Sequence, residues 1–177
     1  MRLIAISGSL RKQSSNAALL RAAAQVAPAD VEVVVYAGLD RLPPFNPDLD
    51  EEGMPPPPSV AELRRILISS DAIVISSPEY AHGVPGVLKN MLDWLVSVGE
   101  LVGKPVALLN AAPTGGHYAQ ASLAETLRTM NWRLVDEASR VEPFVGRRIS
   151  GGLTDEAVRA SLAAAIAALV RSAARSS

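Results

Sequence analysis

The amino-acid sequence predicts one α/β domain in which helices cover both faces of a parallel β-sheet. Short β-branched runs alternate with longer segments of helical periodicity, the pattern of repeated strand–helix–strand units. The chain has 177 residues, a length that fits one hydrophobic core. Aromatic residues make up only 4% of it, so we expect an aliphatic core rich in Ala, Val, Leu and Ile.

Five strands follow from this pattern. They are expected at residues 3–7, 31–36, 72–77, 106–111 and 134–141. The second is almost continuous valine, and we expect it to be buried on both faces as parallel strands usually are. The fifth is more polar and is expected at an edge of the sheet.

The helices are expected at residues 15–27, from residue 59 onward, around residues 85–95 and at residues 154–172. Pro28 marks the end of the first helix. Ser59 and Glu62 have the spacing of a capping box, in which each side chain bonds the other's backbone N–H. The third helix has Pro85 in its first turn and apolar residues at helical spacing, namely Leu88, Met91, Leu92 and Leu95.

A proline-rich segment separates the second strand from the second helix. Residues 38–59 contain seven of the thirteen prolines, four of them in the run from Pro55 to Pro58, together with several acidic residues. We interpret this segment as a long surface loop with polyproline II character. A role in covering a ligand or a partner is the alternative.

Charge and composition exclude several classes of function. The chain has 17 basic and 18 acidic residues, so it lacks the electrostatic footprint of a nucleic-acid or anionic-membrane binder. It has no cysteine, which excludes disulfides, thiolate catalysis and iron–sulfur clusters. The N-terminus does not resemble a signal peptide, and no uninterrupted apolar stretch reaches the roughly 18 residues of a membrane span. We therefore expect a cytoplasmic protein without membrane insertion or a nucleic-acid partner.

The loop after the first strand is rich in hydrogen-bond donors. Its hydroxyl, guanidinium and amide groups belong to Ser9, Arg11, Ser14, Ser15 and Asn16. The helix that follows adds its free N-terminal N–H groups, and we interpret the loop as a phosphate site. Ordinary capping by Ser14 or Ser15 is the alternative. The loop matches neither the P-loop nor Gly-x-Gly-x-x-Gly, which favours a mononucleotide phosphate over a dinucleotide.

Two further loops are expected at the same edge of the sheet. The carboxyl ends of parallel strands face one way, and ligands bind in the crevice outside them. Residues 76–86 combine a rigid turn with an aromatic ring and exposed amides, which suits a flat heteroaromatic ligand. Residues 112–117 contain two glycines that let the backbone approach a ligand closely. The three loops together describe one pocket, a phosphate site beside an aromatic wall and a glycine-rich wall.

These loops and the third helix carry a set of short motifs: Gly8-Ser9-Leu10-Arg11, Ser14-Ser15-Asn16, Pro78-Glu79-Tyr80, Pro85-Gly86, Leu88-Lys89-Asn90 and Asp93-Trp94. Together they resemble the NADPH-dependent FMN reductase family, which includes chromate, quinone and azo reductases, over roughly residues 2–170. The resemblance implies a single flavodoxin-like FMN-binding domain over residues 1–177. It also implies a three-layer sandwich whose five-stranded parallel sheet has the order 2-1-3-4-5.

The resemblance also implies which residues bind FMN. Those implied to hold its phosphate are Ser9, Arg11, Ser14, Ser15 and Asn16. Those implied on one side of the isoalloxazine are Pro78, Glu79, Tyr80 and Gly83, with Ala81 and His82 at the rim, where many members carry Asn. Those implied near its other side are Thr114, Gly115 and Gly116, whose backbone N–H groups would stabilise the negative charge of the reduced ring.

The chemistry implied is carried by the flavin and needs no catalytic side chain. NADPH or NADH supplies a hydride, and a quinone, flavin, azo compound or metal oxyanion accepts the electrons. We interpret His82 and His117 as rim residues rather than proton donors or metal ligands. For Glu79 we expect the backbone to matter more than the carboxylate.

The resemblance further implies a homodimer or homotetramer. The apolar helix around residues 91–96 is a candidate subunit contact, and Asp93 and Trp94 are expected to serve packing or that contact.

A flavodoxin-type electron carrier without NAD(P)H-dependent turnover is the alternative function. Such carriers are usually strongly acidic and lack an arginine in the phosphate loop, whereas this chain is nearly neutral and has Arg11. A non-flavin hydrolase on the same fold is a further alternative, but the sequence contains no nucleophile elbow to support it.

Overall fold

A parallel β-sheet forms the centre of the protein in the computed structural model, which describes residues 1–111, 116–142, 145, 149 and 153–175. The strands are β1 (Arg2–Ser7), β2 (Glu32–Tyr36), β3 (Ala72–Ser76), β4 (Pro105–Asn110), β5 (Arg133–Leu134) and β6 (Arg140–Val141). The helices are α1 (Ser15–Gln25), α2 (Pro58–Ile68), α3 (Gly86–Asp93), α4 (His117–Thr129) and α5 (Glu156–Ala174).

The sheet has the predicted strand order, except that two short strands share its last position. The strands run β2-β1-β3-β4, and both β5 and β6 pair with β4. Between them, Asp136–Ala138 forms a short 3-10 turn, and the Ser139 hydroxyl accepts a hydrogen bond from the Leu108 N–H at 3.1 Å. The Ser139 side chain therefore accepts the hydrogen bond that a backbone carbonyl would accept in the middle of β4. The single strand expected at residues 134–141 is accordingly two short strands.

β2 is less buried than the sequence suggested. It lies at the open edge of the sheet and pairs with β1. Glu32 is exposed and Val33–Val35 are only half-buried, whereas β3 and β4 are buried throughout. The expectation of burial on both faces was wrong because the valine run reflects the preference of β-branched residues for strands and not a central position.

The two faces of the sheet pack against different helices. Leu3, Ala5 and Val74 belong to a core that includes α1 and α5, whereas Ile4 and Ile73 belong to a second core with α2, α3 and α4. This alternation is the two-residue period of β-strands, and it produces the three layers. Among the described helices, α5 alone is long and apolar enough to cross a bilayer, yet seven of its residues are buried in the first core.

The observed helix ends agree only in part with the caps expected from the sequence. Ser14 caps α1, its hydroxyl oxygen accepting a hydrogen bond from the Ala17 N–H at 3.3 Å. The capping box at Ser59 was wrong: α2 begins at Pro58, and no side-chain hydrogen bond caps it among the described residues. Proline suits a first helical position because its missing N–H has no helical acceptor there. Pro85 is likewise the N-cap of α3 and precedes its first turn.

The proline-rich segment is a largely irregular loop held against α2 and α3. The Trp94 indole N–H donates to the Pro43 carbonyl at 2.8 Å, and the Asn90 amide oxygen accepts from the Phe45 N–H at 2.7 Å. Arg64 of α2 forms a largely buried ion pair with Asp50 at 2.7 Å. Asn90 and Trp94 of the resemblance motifs thus fix this loop.

The segment expected to form a subunit contact faces inward. Met91, Leu92, Trp94 and Leu95 are at most 1% exposed. Among the apolar residues of the segment 91–96, Val96 is the exception: it is 66% exposed, so a partner could contact it. The apolar spacing of this segment therefore reflects core packing, and its proposed role in subunit contact was wrong.

Candidate functional site

The loops after β1, β3 and β4 meet at the carboxyl edge of the sheet. The Gly8 N–H donates to the Ser76 carbonyl at 2.8 Å. The Asn16 side-chain oxygen accepts two hydrogen bonds, from the Ser76 hydroxyl at 2.8 Å and from the Ala111 N–H at 3.3 Å. Asn16 therefore ties the start of α1 to the ends of both neighbouring strands, and the structure brings the three loops together as the topology predicted.

The first of these loops, residues 8–16, presents unpaired donors. Arg11 is exposed, and its guanidinium forms no hydrogen bond or ion pair within the described part of the chain. Nor do the backbone N–H groups of Ser15 and Asn16 have an acceptor among the described residues. No acidic residue precedes Asp30 in the sequence. A positive helix N-terminus beside an unpaired guanidinium fits a phosphate group.

The five residues implied to bind phosphate differ in exposure. Arg11 and Ser15 are exposed, Ser9 is half-buried, and Ser14 and Asn16 are 4% and 6% exposed. Ser14 acts as the helix cap, which was the alternative, although its hydroxyl hydrogen can still be donated. The oxygen of Asn16 is already bonded, so contact with a phosphate falls to its N–H groups. Binding by these five residues stays a prediction.

Gly8 lets this loop lie directly on α3. A Cβ atom at this position would lie 2.9 Å from the Leu88 Cδ2 atom and 3.2 Å from the Ser77 hydroxyl oxygen. Contacts as short as the first do not occur between ordinary side chains, so a Cβ atom here would force the loop or the buried Leu88 side chain to move. The position of the loop at residues 8–16 therefore depends on this glycine.

The loop after β3 forms a tight turn in a strained conformation. Tyr80 and Gly83 exchange two backbone hydrogen bonds, at 3.1 and 2.9 Å. The two central residues, Ala81 and His82, have φ angles of 49° and 59°. Such left-handed pairs are usually Asn-Gly or Asp-Gly, since a Cβ atom disfavours this region. Strain of this kind clusters at functional sites, and Tyr80 beside the turn is 57% exposed.

The carboxylate of Glu79 caps the helix that follows β4. Its Oε2 atom accepts a hydrogen bond from the Ala119 N–H at 2.8 Å, in the first turn of α4. The N-cap of α4 is Gly116, which has no side chain and lies in the left-handed region at a φ of 57°. Glu79 supplies the missing acceptor from another loop, so its carboxylate has a structural role in capping α4, and the expectation that its backbone matters more at the flavin site stays a prediction.

Three rings lie together between these two loops, and this group is named the rim stack. The Tyr118 ring is stacked on that of His82, with centroids 4.1 Å apart and planes 24° apart. The His117 ring lies 4.1 Å from Tyr118 at 35°. Sequence reasoning did not include Tyr118, although an aromatic residue in the first turn after a glycine-rich loop was the signal that could have found it.

Of the glycine-rich loop itself, Gly116 is described and buried. Thr114 and Gly115, implied near the flavin, lie outside the described residues. Within the described ranges no group of three or more histidine, aspartate or glutamate side chains is arranged to hold a metal ion.

Sequence comparison shows the relationships of this chain. The family model described as NADPH-dependent FMN reductase matches residues 1–144. The quinone reductase of Escherichia coli K12 is 31% identical over 168 residues, which cover 88% of each chain. An NAD(P)H-dependent FMN reductase of Pseudomonas aeruginosa is 35% identical over 131 residues, covering 72% of this chain and 69% of the relative.

Solved structures agree. A flavoenzyme NAD(P)H:(acceptor) oxidoreductase from Paracoccus denitrificans has a TM-score of 0.83 and 27% identity, covering 98% of this chain and 97% of its own. An oxidoreductase from Corynebacterium diphtheriae has a TM-score of 0.72 at 20% identity over 99% of this chain and 98% of its own, a similarity of fold alone. The flavodoxin-like fold, the donor-rich loop and the family match lead to one conclusion: this chain belongs to the NADPH-dependent FMN reductase family and is an oxidoreductase.

Proposed function

We propose that this protein binds FMN in one domain over residues 1–177 and reduces quinones with NAD(P)H. The observation that supports the site most directly is the group of unpaired donors at Arg11, Ser15 and Asn16, placed at the carboxyl edge where parallel sheets bind ligands. The similarity to quinone reductases over 88% of the chain supports the acceptor class.

The residues of the site bind and orient the cofactor. Bound FMN would supply the redox chemistry between NAD(P)H and the acceptor. The side chains of Ser9 and Arg11 and the backbone N–H groups of Ser15 and Asn16 would hold the phosphate by charge-assisted hydrogen bonds. The turn from Tyr80 to Gly83 would line one side of the isoalloxazine. No side chain acts as a catalytic acid or base in this proposal.

The donor set of the described residues is compatible with FMN. A phosphate monoester carries a charge of about −1.5 to −2 at pH 7, and its binding requires several hydrogen-bond donors that point at its oxygens. The loop offers one guanidinium, several hydroxyls and free helix N–H groups, with no carboxylate nearby in sequence. This combination suits a phosphate far better than an apolar or cationic ligand.

The experiment that tests the proposal has two stages. The purified protein is stripped of flavin and titrated with FMN, following the quenching of flavin fluorescence, with riboflavin as the control that lacks the phosphate. We expect FMN to bind at least tenfold more tightly than riboflavin, which corresponds to about 1.4 kcal/mol. Equal affinity for the two flavins would contradict the phosphate site.

The second stage measures turnover. The loaded protein is mixed with NADPH or NADH and a quinone, and oxidation of the nicotinamide is followed under anaerobic conditions. A reductase turns over many equivalents, whereas a flavodoxin-type carrier binds FMN but oxidises the nicotinamide no faster than free FMN does. The comparison of both nicotinamides also determines which one is preferred.

Assembly and location complete the proposal. We propose a homodimer or homotetramer in the cytoplasm, with NAD(P)H and a small electron acceptor as the partners. Light scattering coupled to size-exclusion chromatography measures the mass in solution against the 18.6 kDa of one chain. A mass equal to one chain at all concentrations would contradict the oligomer.

A further inference from the structure

The proline-rich segment forms an apolar groove on the surface of the protein, which is named the proline groove. It has a volume of about 410 Å³ and is lined by Asp48, Leu49, Met54 and the four prolines from Pro55 to Pro58. Leu49 is 46% exposed and Met54 is 59% exposed. Grooves of this volume with a mainly apolar lining are typical of small-molecule sites, and none of these residues belongs to the candidate flavin site.

Short-range contacts fix the shape of the proline groove. The Asn46 side-chain oxygen accepts a hydrogen bond from the Asp48 N–H at 3.1 Å and so caps a 3-10 turn. The Met54 N–H donates to the Glu51 carbonyl at 3.1 Å in a second turn, in which Gly53 has a φ of 83°. The prolines that follow have φ fixed by their rings. The proline groove is therefore preformed, which lowers the entropic cost of binding a ligand.

The segment between the two turns is anchored to the body of the protein. Asp50 pairs with Arg64 at 2.7 Å and also accepts a hydrogen bond from the Ser97 hydroxyl at 2.7 Å. Arg64 donates as well to the Trp94 carbonyl at 2.6 Å. Asp50 is the carboxylate of this acidic segment whose charge is compensated by a cation.

The other carboxylates of the segment have no cationic partner. Asp48 lines the proline groove, and Glu51 and Glu52 belong to the turn that leads to Met54. All three are exposed, and none forms an ion pair within the described part of the chain. No Arg, Lys or His occurs in residues 42–63. The apolar groove thus has an acidic border.

Positive charge near the proline groove is too small to cancel this border. The N-terminus of α2, which begins at Pro58, contributes about half a positive charge, against three full carboxylates. Arg64 is occupied by Asp50, and Arg41 pairs with Glu62 at 3.7 Å. Arg65 is exposed but does not line the groove. The net charge at the groove is negative, so its ligand should be a cation.

We propose that the proline groove binds a small aromatic organic cation, whose positive charge faces Asp48, Glu51 and Glu52. The aromatic rings lie on the proline rings, a contact that recurs where aromatic grooves bind polyproline segments. The Met54 thioether adds a favourable sulfur contact with an aromatic ring. This site is separate from the proposed flavin site, and binding to it requires no flavin.

The probe that tests this inference is tetraphenylphosphonium, an aromatic cation with a single charge. Its comparison is tetraphenylborate, which has the same shape and a negative charge. Each is titrated into the purified protein by calorimetry in a sodium buffer. The phosphonium is expected to bind at least tenfold more tightly than the borate. Its Kd should rise when the ionic strength is increased from about 0.01 M to about 0.1 M, since the Debye length falls from about 30 to about 10 Å. Equal affinity for the two ions would overturn the inference.

A triple variant tests the acidic border. Asp48→Asn, Glu51→Gln and Glu52→Gln are combined, because a single exposed charge pair contributes little. The combination is expected to raise the Kd for the phosphonium about tenfold. The matched control removes three exposed carboxylates from other parts of the surface: Glu100→Gln, Glu125→Gln and Glu137→Gln. The control has the same net charge as the triple variant and should keep the wild-type Kd. The same Kd in both triple variants would overturn the inference.

Met54→Ser tests the apolar lining. It removes apolar contact area and is expected to raise the Kd for the phosphonium about three- to tenfold. Val102→Ser is its control, because Val102 is equally exposed at 59% and does not line the groove. Met54→Ser that binds as tightly as the wild-type protein would overturn the inference. So would a wild-type protein that does not bind the phosphonium and whose mass in light scattering falls in Met54→Ser, since a second copy of the chain then covers the groove.

Discussion

Glu79 and Ala119 lie 40 residues apart in sequence, and the carboxylate of the first accepts a hydrogen bond from the backbone N–H of the second at 2.8 Å. This bond joins the turn after β3 to the first turn of α4. The N-terminus of a helix carries a partial positive charge and unpaired N–H groups, so a carboxylate there is stabilising. One bond thus caps a helix and connects two walls of the candidate site.

Replacing Glu79 is expected to destabilise the protein. Glu79→Ala removes the capping acceptor and should lower the free energy of unfolding by about 1 kcal/mol. Glu79→Gln keeps an oxygen acceptor without the charge, so a smaller loss is expected. Urea denaturation of the flavin-free protein, followed by circular dichroism, measures both. Unchanged stability in Glu79→Ala would show that the bond contributes nothing.

Replacing Arg11 is expected to weaken FMN binding without affecting the fold. A hydrogen bond to a charged group contributes about 1.5–3 kcal/mol, so Arg11→Ala should raise the Kd for FMN roughly 10- to 100-fold. Arg128→Ala is the matched control, because Arg128 is exposed and lies in the last turn of α4, the end of that helix that is remote from the carboxyl edge of the sheet. Flavin fluorescence titration measures both variants, and equal Kd values for the two would contradict the phosphate-loop assignment.

Asn16 is expected to be structural as well as part of the site. Asn16→Ala leaves the buried Ser76 hydroxyl and the Ala111 N–H without their acceptor, and it should lower the free energy of unfolding by about 1–3 kcal/mol. Ser76→Ala removes one of the donors and should cost less. The double variant should cost less than the sum of the two, and additivity in urea denaturation would argue against the contact.

Gly8 is expected to tolerate no larger residue. Gly8→Ala places a Cβ atom 2.9 Å from the Leu88 Cδ2 atom, and overpacking of this kind costs about 1–3 kcal/mol. The loop should shift, so FMN affinity should fall as well. Gly86→Ala is the matched control, because no atom lies within 4 Å of the added Cβ. If thermal unfolding and FMN titration gave the same values for both variants, close packing at Gly8 would be refuted.

Tyr36 is expected to make stability fall at high pH. Burial raises the pKa of its phenol above the ordinary value of 10.0, opposed by the Arg41 guanidinium and assisted by the Glu62 and Asp40 carboxylates. From pH of about 10 upward the unfolded chain releases this proton first and so binds fewer protons than the folded protein. The free energy of unfolding therefore falls as pH rises towards the folded pKa.

The matched variant for this pH dependence is Tyr36→Phe, which has no proton to release. Urea denaturation at several pH values from 9 to 11 should show a smaller decline for Tyr36→Phe than for the wild-type protein. Parallel declines would mean that other groups cause the effect. Lys104 is not such a group, because burial lowers the pKa of its amine and its contribution to stability therefore rises with pH.

Much of the fold was predictable because its signals are local. The isoleucine- and valine-rich runs predicted β1, β3 and β4 to within a residue at either end. Two errors are local, since the capping box at Ser59 does not form and the helix α4 (His117–Thr129) was not expected. Two others depend on tertiary structure. Ser139 bonds the Leu108 N–H and interrupts the last strand, and the exposure of β2 depends on its place at the sheet edge.

The candidate site was predictable to a lesser degree. The donor-rich loop from Ser9 to Asn16 is contiguous, so its chemistry can be read from the sequence. The alternative role of Ser14 as a cap proved to be its observed one. The partner of Glu79 and the ring that stacks on His82 could not be read, since both lie on α4, far along the chain.

The sequence by itself determined four of the strands and their alternation with α1, α2, α3 and α5, the donor-rich loop and, through its motifs, the family. These depend on residue type and on spacing over a few positions. The tertiary structure alone decided that Glu79 caps α4, that Asn16 joins three loops and that His82 and Tyr118 stack. Hydrogen bonds and ring contacts act over about 3–5 Å, and only the folded chain brings residues so distant in sequence within that range.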